Sequence, residues 1–108
     1  MAGWKLLGGR KVDKTLDKDE ILVGSKQGDF KRIKLRVEGA AIEIINVHVI
    51  YGNGEPDKLE VREHIRPGGE TRAIDLRGGE RVIHKVVLWY KTDTPSRKRA
   101  TVTVWGLD

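Results

Sequence analysis

Apolar and polar residues alternate along much of this chain with a period of two. Ile33, Leu35 and Val37 alternate with Lys34, Arg36 and Glu38, the pattern of a strand with one face on a core and one in water. Leu59 and Val61 alternate with Lys58, Glu60 and Arg62, and Ile65 extends that strand. Ile74 and Leu76 alternate with Asp75 and Arg77; Ala100, Val102 and Val104 alternate with Thr101, Thr103 and Trp105. Two longer runs are apolar on both sides. In the first, Ile42 and Ile44 share one parity while Ile45, Val47, Val49 and Tyr51 share the other. A bulge at Ile44-Ile45, or a strand covered on both faces, is expected there. In the second, Val82, His84, Val86, Leu88 and Tyr90 share one side, and Ile83, Val87 and Trp89 the other. Shorter pieces open the chain: Trp4 to Leu7, closed by Gly8-Gly9; an extended piece from Arg10 to Thr15; and Ile21 to Val23. Phe30 falls on the wrong parity for the strand it enters.

Turn chemistry separates these runs. Glu38-Gly39-Ala40, Gly52-Asn53-Gly54-Glu55-Pro56-Asp57 and Arg66-Pro67-Gly68-Gly69 read as turns, and Gly78-Gly79 reads as the turn of a hairpin into the last long run. No glycine-free window carries three turns of helical apolar spacing. The expected fold is all-β: an antiparallel β-sandwich of about eight strands with Greek-key or jelly-roll-like connections, one domain over residues 1–108. Its predicted core is Ile33, Leu35, Val37, Val47, Val49, Leu59, Val61, Ile74, Leu76, Val86, Leu88 and Val102. Trp89 lies off the parity of Val86 and Leu88, so its face is expected to be covered by a loop or by a partner subunit, which leaves a homodimer open.

Composition narrows the function classes. There is no cysteine among the 108 residues, which excludes disulfides, thiolate metal sites and thiol chemistry. No stretch is long enough to span a bilayer as a helix. The opening Met1-Ala2-Gly3-Trp4 does not read as a signal peptide, so a cytoplasmic start and a start left by signal removal both fit. The 21 Lys plus Arg against 16 Asp plus Glu give a net charge of +5. That balance favours anionic partners, although the signs are mixed along the chain.

Several segments together resemble a known family. They are Trp4-Lys5-Leu6-Leu7-Gly8, Phe30-Lys31-Arg32-Ile33-Lys34-Leu35, Val47-His48-Val49-Ile50-Tyr51 and Ile65-Arg66-Pro67-Gly68-Gly69-Glu70-Thr71, followed by Arg81-Val82-Ile83-His84-Lys85-Val86 and Ala100-Thr101-Val102-Thr103-Val104-Trp105-Gly106. The chain is similar over most of its length to a family of small bacterial proteins of unknown function, usually exported. Members of that family carry a signal and sometimes a cysteine pair, neither of which is in this sequence. The resemblance implies a periplasmic or extracellular location and no activity.

Tests for chemistry return little. Ser25 and Ser96 sit in polar turns without a nucleophile-elbow pattern, so no catalytic residue is assigned. His48, His64 and His84 lie on different strands without metal-ligand spacing, and His84 shares parity with Val82 and Val86 as a partly buried histidine would. Asp13, Asp17, Asp19 and Glu20 cluster before a strand but lack the glycine and spaced ligands of a calcium loop. No metal or cofactor is assigned. Two binding surfaces remain. Lys31, Lys34 and Arg36 on one strand, with Arg97-Lys98-Arg99 in a loop, form a candidate anion-binding patch. Trp4, Trp89 and Trp105 are candidate glycan or partner contacts. The sequence therefore reads as a non-catalytic structural or binding domain, envelope-associated by resemblance. A polyanion or glycan binding module and a small hydrolase are the alternatives.

Overall fold

The computed structural model describes residues 3–12, 18–92 and 99–108. It is an antiparallel, two-sheet, sandwich-like all-β fold. Its strands are β1 (Trp4–Lys11), β2 (Lys18–Leu22), β3 (Asp29–Phe30), β4 (Arg32–Glu38), β5 (Ile42–Tyr51), β6 (Pro56–Leu59), β7 (Glu63–Ile65), β8 (Ile74–Asp75), β9 (Arg81–Thr92) and β10 (Thr101–Leu107). One sheet runs β1-β10-β4-β8; the other runs β2-β9-β5-β6, with β3 also on β9 and β7 also on β5. The helical content among the described residues is one 3-10 turn, Ser25–Gln27.

The count is ten among the described residues rather than eight, because two edge strands are broken. β2 and β3 both pair with β9, at Lys85 to Trp89 and at Arg81-Val82. β6 and β7 both pair with β5, so the single strand expected from Leu59 to Ile65 is interrupted around Val61. Gly8 and Gly9 do not close a strand: β1 runs through them as one element into Lys11. The expected hairpin at Gly78-Gly79 is also corrected. β8 pairs with β4 while β9 lies in the other sheet, so these two glycines, both at positive φ, carry the chain between sheets.

Three register shifts set which side chains face the core. Between Ile44 and Asn46 the partner steps from Tyr90 to Trp89, which leaves Ile45 as the extra residue, as the parity switch predicts. Between Leu6 and Gly8 the partner steps from Trp105 to Val104, which leaves Leu7 as the extra residue. Ile50 opposes Lys85 and Tyr51 opposes Ile83, so His84 is the extra residue on β9 and is exposed. A partly buried His84 is therefore corrected: the bulge, and not the alternation of Val82 and Val86, decides its face.

The core joins both sheets in one cluster. All twelve predicted core residues are buried in it, and Phe30, Tyr51, Ile83 and Tyr90 join them. Phe30 sits on β3, separate from β4, which resolves its parity. Gly106 admits the Phe30 ring: a Cβ there would lie 2.7 Å from Phe30 Cδ1.

Candidate functional site

The outer face of the four-stranded sheet gathers residues from three strands. The register sets Leu6, Trp105 and Lys34 in one row, and Gly9, Thr103 and Arg36 in the next. Trp4 opposes Leu107, so it stands diagonal to Trp105. Plain alternation before the bulge puts Trp4 and Leu6 on the outer face and Leu7 on the inner one; the bulge shifts the register only from Gly8 onward. Leu6 is 49% exposed, one of the most open large apolar side chains.

Both indoles on this face are held. Lys34 Nζ lies 4.4 Å from the Trp4 ring centroid, and Lys34 is buried. The ammonium therefore lies against one face of the indole as a cation–π contact. Lys34 Nζ also donates to Glu70 Oε1 at 3.0 Å. The Trp105 indole N–H donates to Thr103 Oγ1 at 2.9 Å, two residues back on β10, so the ring is drawn along its own strand. Arg36 Nε donates to Glu38 Oε1 at 2.8 Å, and its Nη1 lies 3.6 Å from Glu70 Oε2. Glu70 thus ties Lys34 to Arg36 from an isolated bridge opposite Arg36.

The cations around β4 are compensated. Besides Lys34 and Arg36, Arg32 pairs with Asp75 at 2.7 Å and Lys31 lies 3.7 Å from Glu80. Lys31 precedes β4 and belongs to a different locality, near Glu80. Arg99 lies at the edge, its Nε donating to the carbonyl of Val12 at 3.2 Å. Arg97 and Lys98 lie outside the described residues. Trp89 is on the opposite face of the sandwich, against the His48 ring with centroids 4.6 Å apart. The structure thus brings Trp4, Trp105, Lys34 and Arg36 together and separates Lys31, Arg99 and Trp89 from them. Glu70 and Thr103 were not singled out in the sequence. Glu70 stands 36 residues from Lys34, beyond the reach of any local pattern.

A second cluster of titratable groups lies elsewhere and is structural. Tyr51 Oη donates to Asp57 Oδ2 at 2.5 Å, and both residues are buried. The Arg77 backbone N–H donates towards Tyr51 Oη at 3.2 Å and Asp57 Oδ2 at 3.3 Å. The Arg81 guanidinium stacks 3.8 Å from the Tyr51 ring centroid and donates to the Arg77 carbonyl. Burial, followed by the Asp57 hydrogen bond, raises the Tyr51 pKa to about 12, so the phenol is protonated at neutral pH. A shallow cleft beside it is lined by Tyr51, Gly52, Asn53, Glu80, Arg81 and Val82. The cluster brackets the β5–β6 turn to the segment before β9.

Other candidates do not converge. His48 and His64 lie on β5 and β7, and His84 is at its bulge on β9. Among the described residues, three or more metal-type ligands approach one another only at Asp29, Glu80 and Asp108, all exposed, and Lys31 is already beside Glu80. Asp19 is spent on Arg10 and on the Glu20 backbone N–H; Asp13 and Asp17 lie outside the described residues, as does Ser96. Ser25 is in the 3-10 turn.

Comparison with known proteins adds a family and a fold. A family model described as "Domain of unknown function (DUF2541)" matches residues 1–106. No curated protein matches the chain. Among solved structures, AlgX of Pseudomonas aeruginosa aligns over 96% of this chain at 14% identity with a TM-score of 0.59, and the chain spans only 27% of that protein. The SPBc2 prophage-derived protein YomS aligns over 97% of this chain and 91% of its own at 15% identity and a TM-score of 0.47. A family 29 carbohydrate-binding module from Piromyces equi covers 100% of this chain and 83% of its own at 12% identity and 0.46. At 14% identity the likeness to AlgX is one of fold.

Proposed function

The chain belongs to the DUF2541 family, and within it we propose a glycan-binding domain whose site is the outer face of the four-stranded sheet. One observation carries the reading: Trp4 and Trp105 stand on the same face, each held by a specific contact. An indole fixed before binding loses little freedom on contact, which favours affinity. Aromatic faces take the apolar C–H face of a sugar ring, while Arg36, Glu38, Glu70 and Thr101 offer donors and acceptors to hydroxyls. Diagonal cross-strand neighbours lie roughly 7–8 Å apart. Two indoles at that spacing favour an oligosaccharide over a single sugar.

The ion pairs on this face favour hydroxyl-rich ligands over charge-dense ones. Lys34 and Arg36 each have a carboxylate partner, so little outward field remains for a polyanion. The net charge of +5 still supplies weak, salt-sensitive attraction to heparin-like polymers. The periplasmic or extracellular location implied by the family resemblance belongs to the same proposal, and cell fractionation of the tagged protein tests it.

Electrophoresis through gels containing neutral or acidic polysaccharides tests the site. Retardation that persists at high salt and is lost in Trp4→Ala and Trp105→Ala is the expected result, with both variants keeping the parent's circular dichroism. Retardation that disappears with salt and survives both substitutions would overturn it. So would the absence of retardation in every polysaccharide. Sedimentation at rising concentration separates glycan binding from self-association through the same face.

A further inference from the structure

The second candidate surface is the outer face of the six-stranded sheet, which the glycan reading does not use. We infer that this face is an oxyanion site, built from Lys18 and Lys58 on either side of the Trp89–His48 pair, that takes a carboxylate, sulfate or phosphate group. It stands independently of the glycan proposal.

Strand register assembles the site. Lys18 on β2 opposes Trp89 on β9, and Trp89 opposes Asn46 on β5. His48 on β5 opposes Val87 on β9 and Lys58 on β6. All of these belong to the outward set, because Val47, Val49, Val86 and Leu88 fill the inward one. The indole and imidazole meet at an interplanar angle of 59°, and Lys18 Nζ lies 5.4 Å from the indole centroid. The ammonium thus leans over β9 while the side chain stays open to solvent.

Two features make this a site and not an ordinary wet face. The first is uncompensated charge. Asp19 is paired with Arg10, and Glu20, the acid on the same face of β2 as Lys18, forms its ion pair with Lys85 at 3.0 Å while also feeling the Lys18 charge. Among the described residues neither Lys18 nor Lys58 has an ion-pair partner, in contrast to Arg32, Lys34 and Arg36 on the other sheet. The second is an orphan: His48 Nε2 is buried with no hydrogen-bond partner, a costly state for a polar atom. Burial first, then Lys58 and then Lys18, lowers the His48 pKa below its ordinary value, so both ammonium fields converge on the imidazole. The two lysines stand three strand spacings across the sheet and two residues along it, so their Cα atoms are roughly 16 Å apart. Lys18 already leans over β9, and a four-carbon Lys58 stem turned towards it would leave a gap that an oxyanion fills. Val87, outward-facing yet buried, gives the site an apolar floor that strengthens the contact.

The His48 ring is also the reporter. The test follows the Cε1–H resonances of His48, His64 and His84 through pH, first in chloride and then in inorganic sulfate at matched ionic strength. The expected result is a saturable rise of the His48 pKa by about 1 pH unit, with His64 and His84 moving much less. Lys18→Gln with Lys58→Gln, both exposed positions, should raise the His48 pKa in chloride and abolish the sulfate effect. Equal movement of all three histidines would mean bulk screening and would overturn the site, as would no movement of His48. Repeating the titration with methyl glucuronide and with a phosphate monoester distinguishes an acidic sugar from a phosphoryl group. Either response supports the site and names its source.

Discussion

Replacing Tyr51 with phenylalanine removes one oxygen from a buried network and little else. The ring stays in the core, and Arg81 can still stack on it. What is lost is the hydrogen bond from Tyr51 Oη to Asp57 Oδ2 and the acceptor for the Arg77 N–H. Asp57 is only 4% exposed. It keeps the Arg77 N–H at 3.3 Å and a guanidinium contact at 3.6 Å, but that Arg77 side chain is mostly in solvent and screens poorly. A hydrogen bond to a charged acceptor contributes about 1.5–3 kcal/mol, and the stranded carboxylate adds to the loss. Tyr51→Phe should therefore cost roughly 2–3 kcal/mol, or roughly 8–15 °C in Tm for a domain of this size. Urea unfolding followed by tryptophan fluorescence reads it directly. The pH dependence adds a second readout. The folded-state pKa of Tyr51 is raised from 10.0 to about 12, so its contribution is fully present below pH 10 and is lost as pH rises towards 12. The variant should lack this part of the alkaline loss of stability. A change under about 0.5 kcal/mol, with an unaltered alkaline limb, would show that the network is not a bracket and that water satisfies Asp57.

Two further outcomes follow from the packing. Gly106→Ala places a Cβ 2.7–2.9 Å from Phe30 and Leu7 atoms, both side chains being buried, so an overpacking cost of about 1–3 kcal/mol is expected; a neutral denaturation midpoint would mean that Phe30 is not held there. His48 titrates below 6.5 because of burial, Lys58 and Lys18, while the nearby Glu20 and Lys85 neutralise each other. Its contribution is present above pH 6.5 and is lost as pH falls through the lowered value. His48→Gln should flatten that acid slope in urea melts, and an identical slope in the variant would refute the assignment.

The sequence determined the class of fold and its core, because alternation is a local property. Each residue of Ile33-Leu35-Val37 or Val47-Val49 needs only its neighbours to show which side is apolar. The bulge at Ile45 was legible for the same reason: apolar residues change parity there. The bulge at His84 was not, since Val82 and Val86 flank it with unbroken alternation, and Gly8-Gly9 concealed the one at Leu7 by resembling a turn. Hairpin pairing at Gly78-Gly79 also misled, because turn chemistry fixes a reversal of the chain but not the sheet that receives it. For the candidate site, the tryptophans and the β4 cations could be named individually, yet their grouping could not. Trp4 meets Lys34, Lys34 meets Glu70, and β10 delivers Trp105 from the far end of the chain. Those contacts depend on strand order and register, which are set by how two sheets bury one shared core and leave no trace within any short window of sequence.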